Sequence, residues 1–144
     1  MGEEIVTGSF TLDRDTMLAF SRMYDPQPLH VDEGYARAGP FGELIASGAQ
    51  SISISLKLFV QMGYLDGVCL AGPGMDEVRF LRPVRAGDTL QCHIRVAEAR
   101  ISRSNPTRGV LRLNYALRNQ QGEDVLTHTS TTMVQARPRH KTGT

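Results

Sequence analysis

The sequence predicts an α+β fold in which one long helix packs against a twisted antiparallel sheet. Two observations carry this prediction. Apolar and polar residues alternate through much of the second half of the 144-residue chain, a period typical of strands with one buried face. A proline-free apolar segment, residues 47–64, is long enough to form a buried helix that covers such a sheet.

The first half of the chain predicts a short strand followed by a helix. Residues 3–10 could form an edge strand. Asp13 is the expected N-cap of a helix that carries aromatic and apolar residues at spacings of three and four: Met17, Phe20 and Tyr24. Pro26 and Pro28 end this helix in a stiff loop.

The segment 47–64 contains two conflicting patterns. Ser51 to Leu58 alternates strictly, which on periodicity alone favours a strand. The same segment places Ile52, Leu56 and Val60 on one helical face. Its length favours the helix, and we expect that helix to be apolar over most of its circumference and therefore buried.

Four strands are expected in the second half, at about residues 75–84, 90–96, 111–117 and 125–134. Turn residues separate them, among them Gly87, Pro106 and Gly122. They form a long antiparallel meander. With no internal repeat, we expect one domain over residues 1–136, followed by a basic flexible tail at 137–144.

Composition argues against several classes of function. Sixteen basic and fifteen acidic residues give a net charge of +1, so a nucleic-acid surface is not expected. Neither a signal peptide nor a run of about eighteen apolar residues is visible, so we expect no membrane association. Cys69 and Cys92 are expected to be reduced thiols of a cytoplasmic protein. The four histidines have no metal-ligand spacing, so no metal is expected.

Asp25 and His30 form the candidate catalytic pair. They lie five residues apart on the loop stiffened by the two prolines, which can hold both side chains in a set geometry. A histidine beside a carboxylate can move protons near neutral pH. The alternative is that Asp25 caps local backbone and His30 is a structural loop histidine.

Three segments resemble the signature of one enzyme family. They read YDPQPLHVDE at 24–33, LIASG at 44–48 and FLRPVRAGDTL at 80–90. Together they resemble the MaoC-like hydratases, hot-dog-fold enzymes related to (R)-specific enoyl-CoA hydratases. The resemblance spans about residues 10–135 in order, and it implies a single hot-dog fold with a long central helix wrapped by the sheet.

The resemblance implies a lyase that adds water to an enoyl thioester or removes it from a 3-hydroxyacyl thioester. Asp25 and His30 correspond to the residues that hold the water, and the Gly48 N–H corresponds to the donor that polarises the thioester carbonyl. The substrate is a thioester of coenzyme A or of acyl-carrier protein, and no further cofactor is implied. At least a homodimer is implied, because a single unit leaves a sheet edge exposed.

The chain departs from the family pattern at three site positions. Tyr24 stands where glycine is common, Gln27 where asparagine is common, and Ser47 where histidine is common. These residues are expected to line the oxyanion or substrate site with Gly48 and to alter the acyl preference. Two alternatives stay open: an acyl-CoA thioesterase, and a non-catalytic acyl-CoA-binding module of the same fold.

Overall fold

The computed structural model describes residues 2–136, so the predicted tail at 137–144 lies outside the described residues. The elements in chain order are β1 (Glu4–Thr11), α1 (Arg14–Tyr24), α2 (Pro28–Val31), α3 (Glu33–Ala38), α4 (Gly48–Val60), β2 (Cys69–Phe80), β3 (Thr89–Ile101), β4 (Arg108–Arg118) and β5 (Asp124–Gln135). The five strands form one antiparallel sheet in the order β1-β3-β4-β5-β2. The predicted α+β architecture is confirmed. No helix in the described part of the chain has the length and apolarity needed to cross a membrane.

The inner face of the sheet follows the predicted alternation. Leu90, Cys92 and Ile94 of β3 are fully buried, while the residues between them are more exposed. Ile94 pairs with Tyr115 of β4, which in turn pairs with His128 of β5. The core therefore lies between this face and the helices, as the period-two pattern predicts.

Strand β2 differs from its predicted range of 75–84. It begins at Cys69 and pairs with β5 through three irregularities in register, one of which, between Ala71 and Gly74, spans Gly72 and Pro73. Glycine and proline weaken a strand signal, and proline is tolerated here because β2 is an edge strand. The strand ends at Phe80, ahead of Pro83, which has no N–H to donate.

Helix α4 is confirmed, but it is not buried around its whole circumference. Its buried face includes Ser51, Ile54, Ser55 and Leu58, at spacings of three and four. Val60, which we predicted to be buried, is 52% exposed. Ser55 can occupy the buried face because the core supplies hydrogen-bond partners for its hydroxyl.

One such partner is a buried histidine in the sheet. The Ser55 hydroxyl donates to the carbonyl of Ile52 at 2.7 Å and therefore accepts from His128 Nε2–H at 2.9 Å. His128 Nδ1 then accepts from the Ser130 hydroxyl at 3.0 Å, and the ring stacks on Tyr115. The neutral histidine is fully bonded, and burial lowers its pKa to about 4.

This histidine should make the protein less stable in mild acid. An unfolded chain protonates His128 near pH 6.5, whereas the folded chain keeps it neutral to about pH 4, so stability falls as the pH drops through that window. Between pH 7 and pH 5 the loss should be about 2 kcal/mol. Urea unfolding of the parent and of His128→Phe at both pH values tests this. An equal pH dependence in the two proteins would contradict the prediction.

Candidate active site

The end of helix α1 sets the position of Asp25. Its backbone N–H donates to the Ser21 carbonyl at 2.8 Å and closes the last helical turn. Pro26 follows immediately and cannot supply the next N–H of a continuing helix. The Asp25 side chain, 25% exposed, is thereby directed off the end of α1.

His30 lies on the one-turn helix α2, where Pro28 is the first residue and suits a helix start. The ring is buried, and its Nδ1 lies 2.8 Å from the Ile45 carbonyl. A carbonyl only accepts, so Nδ1 carries a hydrogen. Nε2 is then the nitrogen that can take up or release a proton, and it lies 3.4 Å from Asp25 Oδ2.

Both oxygens of the Asp25 carboxylate accept hydrogen bonds. The Gln27 amide donates to Oδ1 at 2.7 Å, and the Ser47 hydroxyl donates to Oδ2 at 2.7 Å. These two bonds, and then the nearby His30 ring, lower the pKa of Asp25 and outweigh the opposing effect of burial. The carboxylate is therefore ionised at neutral pH and fixed in orientation.

The first turn of α4 leaves one backbone donor free. The Ala49 N–H bonds to the Ser47 hydroxyl, and the N–H groups of Gln50 and Ser51 bond to the Ser47 carbonyl. Within residues 2–136, the Gly48 N–H makes no hydrogen bond. A free N–H at the positive end of a helix can stabilise negative charge on a ligand oxygen.

These groups meet at one cleft of about 460 Å³. Asp25, Gln27, His30 and Gly48 line it, together with Ser51 and mostly apolar residues of the loops and of the end of β2. A depression of similar volume, about 400 Å³, lies over the sheet and shares no lining residue with this cleft. The cleft therefore combines a carboxylate beside an imidazole, a free N–H and apolar walls.

Two predicted site residues do not line the cleft. Tyr24 is 67% exposed and packs against Phe20 of its own helix, with ring centroids 5.1 Å apart. Ser47 is fully buried behind the surface and contacts the site through its bond to Asp25. Ser47 therefore supports the Asp25 carboxylate through this hydrogen bond.

The comparisons with known proteins identify the family of this chain. The family model described as "MaoC like domain" matches residues 1–114. The chain belongs to the MaoC-like dehydratase family. The resemblance noted in the sequence is thereby confirmed, and with it the hot-dog fold of this MaoC-like chain.

Individual relatives support the same family. The uncharacterised protein YdeM of Bacillus subtilis is 32% identical over 121 residues, which is 84% of each chain. A MaoC-like dehydratase from Rhodospirillum rubrum, known from its crystal structure, is 32% identical in sequence. The two structures superpose with a TM-score of 0.86, and the match covers 95% of the present chain and 93% of the Rhodospirillum protein. The 3-hydroxyacyl-thioester dehydratase Z of Mycobacterium tuberculosis is 41% identical over 68 residues, 46% of this chain and 45% of that protein.

Sequence reasoning missed two parts of the MaoC-like site. The Ile45 carbonyl, which fixes the His30 ring, leaves no trace in the residue type. Phe80 also went unnoticed as a neighbour of Gly48, although a Cβ at Gly48 would lie 2.6 Å from its ring. Both contacts join segments that are distant in sequence.

Proposed function

We propose that this protein is a hydratase or dehydratase of acyl thioesters, adding water to an enoyl thioester or removing it from a 3-hydroxyacyl thioester. One observation carries the proposal: His30 Nε2, the Asp25 carboxylate and the free Gly48 N–H all face the same cleft. The similarity to a 3-hydroxyacyl-thioester dehydratase supports it.

The proposed hydration begins with a water held between Asp25 and protonated His30. The carboxylate takes one proton from the water as its oxygen bonds to the β-carbon, and the C=C π electrons form a bond from the α-carbon to the proton of His30 Nε2. The proton on Asp25 then returns to His30 across their 3.4 Å contact. The lowered pKa of Asp25 favours that return, and dehydration follows the same path backwards.

The Gly48 N–H stabilises the charge that develops on the thioester oxygen. Negative charge accumulates there as the β-carbon is attacked, and a preorganised N–H at a helix start offsets it without reorganisation. The thioester itself activates the double bond, so this mechanism uses no further cofactor. Coenzyme A or acyl-carrier protein is the proposed thiol carrier.

We propose a homodimer as the working form. Within residues 2–136, strand β2 is an outer strand of the sheet and pairs only with β5. Apolar side chains at its two ends, Leu70 and Phe80, are 50% and 56% exposed. Unpaired edges favour pairing with a second chain. Phe80 also lines the cleft, so a second copy along β2 would lie beside it. Sedimentation at twice the chain mass would support the dimer, and a monomer would contradict it.

We also propose a cytoplasmic location. Both cysteines, Cys69 and Cys92, are free thiols. Free thiols are typical of a reducing compartment. Fractionation of the native cells, followed by detection of the protein with an antibody, would test this placement.

A panel of trans-2-enoyl-CoA thioesters from four to twelve carbons tests the activity. We expect hydration of at least one member, seen as loss of the absorbance of the conjugated thioester, with no release of free thiol. Release of coenzyme A would instead identify a thioesterase. Binding measured by calorimetry without any turnover would identify a non-catalytic module.

A further inference from the structure

The residue type of Ser47 predicts the N-cap of α4 but not the second contact that its side chain makes, with Asp25. Its side chain is fully buried, yet its hydroxyl makes two hydrogen bonds in different directions. It donates to Asp25 Oδ2 at 2.7 Å and accepts from the Ala49 N–H at 3.2 Å. One hydroxyl therefore connects the acid-base pair to the first turn of α4.

We propose that Ser47 is a positioning residue whose hydroxyl locks the Asp25 carboxylate in register with the His30 ring and the Gly48 N–H. The inference rests on the proposed function, since it concerns the same cleft. Ser47 does not touch the cleft and so acts through Asp25.

The geometry of the carboxylate supports this role. Oδ2 is the oxygen that lies 3.4 Å from His30 Nε2, and it is also the oxygen bonded to Ser47. Rotation of the carboxylate would break the Ser47 bond and the Gln27 bond to Oδ1 together. Because Gln27 donates to Oδ1 and Ser47 donates to Oδ2, the Asp25 carboxylate is held in the orientation in which Oδ2 faces the His30 imidazole.

The capping bond ties this orientation to the oxyanion donor. The Ser47 hydroxyl accepts the hydrogen bond of the Ala49 N–H. Within residues 2–136, the Gly48 N–H is then the donor of the first turn that makes no hydrogen bond. Ser47 thereby sets the separation between the group that would activate water and the group that would hold the thioester oxygen. Small errors in such a separation are costly to catalysis.

The charged surroundings of Asp25 are simple enough to interpret by titration. Among residues 2–136, His30 is the titratable group in contact with it. Arg82 lines the same cleft, but it is paired with Glu123 at 3.3 Å. Loss of the Ser47 hydroxyl should therefore raise the pKa of Asp25, because hydrogen bonding to the ionised form is what Ser47 contributes.

The test compares Ser47→Ala and Ser47→Gly with the control Ser53→Ala. Glycine is tolerated at an N-cap, so Ser47→Gly guards against a simple loss of the helix start. Ser53 is an exposed serine of the same helix, and its hydroxyl bonds to the Ala49 carbonyl. Two measurements are made on each protein: the titration of the Asp25 side-chain carboxyl by carbon NMR, and the pH profile of hydration of the best thioester.

Both Ser47 variants should show a higher Asp25 titration midpoint and an acid limb of the pH profile moved to higher pH. We expect kcat at neutral pH to fall about 10- to 100-fold, as for loss of a hydrogen bond to a charged group, with KM changed less. Ser53→Ala should match the parent in both measurements.

Unchanged titration and an unchanged pH profile in both Ser47 variants would overturn the inference. If the parent hydrates none of the thioesters, the proposed function fails separately. The Asp25 titration then still decides whether Ser47 holds the carboxylate, since NMR requires no turnover.

Discussion

Replacing Asp25 by asparagine should lower kcat for hydration by about 100- to 10,000-fold, the range typical of a lost general acid-base group. Asparagine keeps the size of the side chain and can still contact Gln27 and Ser47. It cannot take the proton from water or pass it to His30 across the 3.4 Å contact. His30→Gln should cause a similar loss, because its amide can still donate to the Ile45 carbonyl but cannot deliver a proton.

Matched controls separate this effect from a general disturbance. Asp32→Asn alters a carboxylate nearby in sequence that caps α3 by accepting the Tyr35 N–H, and asparagine caps equally well. His93→Gln alters a histidine that lies over the sheet and faces Glu4. Steady-state kinetics on the best enoyl-CoA should show both controls within about twofold of the parent, by the usual tolerance of surface sites. If Asp25→Asn and His30→Gln were as active as their controls, the proposed mechanism would be wrong.

Local signals explain why much of the site could be predicted from sequence. Asp13 caps α1 as expected, with its side chain accepting the Thr16 N–H, and the helix ends before Pro26 as expected. The segment that carries Asp25, at the end of α1, and His30, on α2, is therefore placed by nearby residues. The start of α4 at Gly48 is likewise local, because Ser47 is a good N-cap residue.

The interactions between distant segments could not be predicted in this way. The bond between Ser47 and Asp25 joins residues 22 positions apart, and nothing in either residue type specifies it. Ser55 and His128 are 73 positions apart, and their bond puts a polar face of α4 into the core, where periodicity favoured an apolar one. Such pairs depend on the packing of α4 onto the sheet, which residue patterns describe only in outline.

Tyr24 is one of the two residues that the resemblance to a family misplaced. Tyr24 was expected to line the site because it precedes Asp25, but α1 continues through Tyr24 and directs its ring toward Phe20. The residue before a site residue on a helix points to a different side of that helix. The family motif identified the site but did not define the direction of every side chain in it.

Gly48→Ala should reduce kcat/KM about 100- to 1,000-fold, the usual cost of losing an oxyanion donor, while leaving the fold intact. The added Cβ would lie 2.6 Å from Cε1 and Cζ of the Phe80 ring, so the ring must move. Phe80 is 56% exposed and can shift toward solvent, and alanine favours a helix, so the thermal midpoint should change little. Gly34→Ala, in the first turn of α3, is the control, because its Cβ would meet Asp32 at an ordinary 3.6 Å.

A double variant distinguishes the two ways in which Gly48→Ala could act. Either the methyl group itself keeps the thioester oxygen from the N–H, or the displaced Phe80 ring fills the cleft. Phe80→Ala removes the ring, so it should not restore activity to Gly48→Ala if close approach to the backbone is what the glycine provides. Recovery of the double variant to the level of Phe80→Ala alone would show that the ring caused the loss. It would also remove the steric argument for glycine at the oxyanion position, since the N–H would then tolerate a neighbouring methyl group.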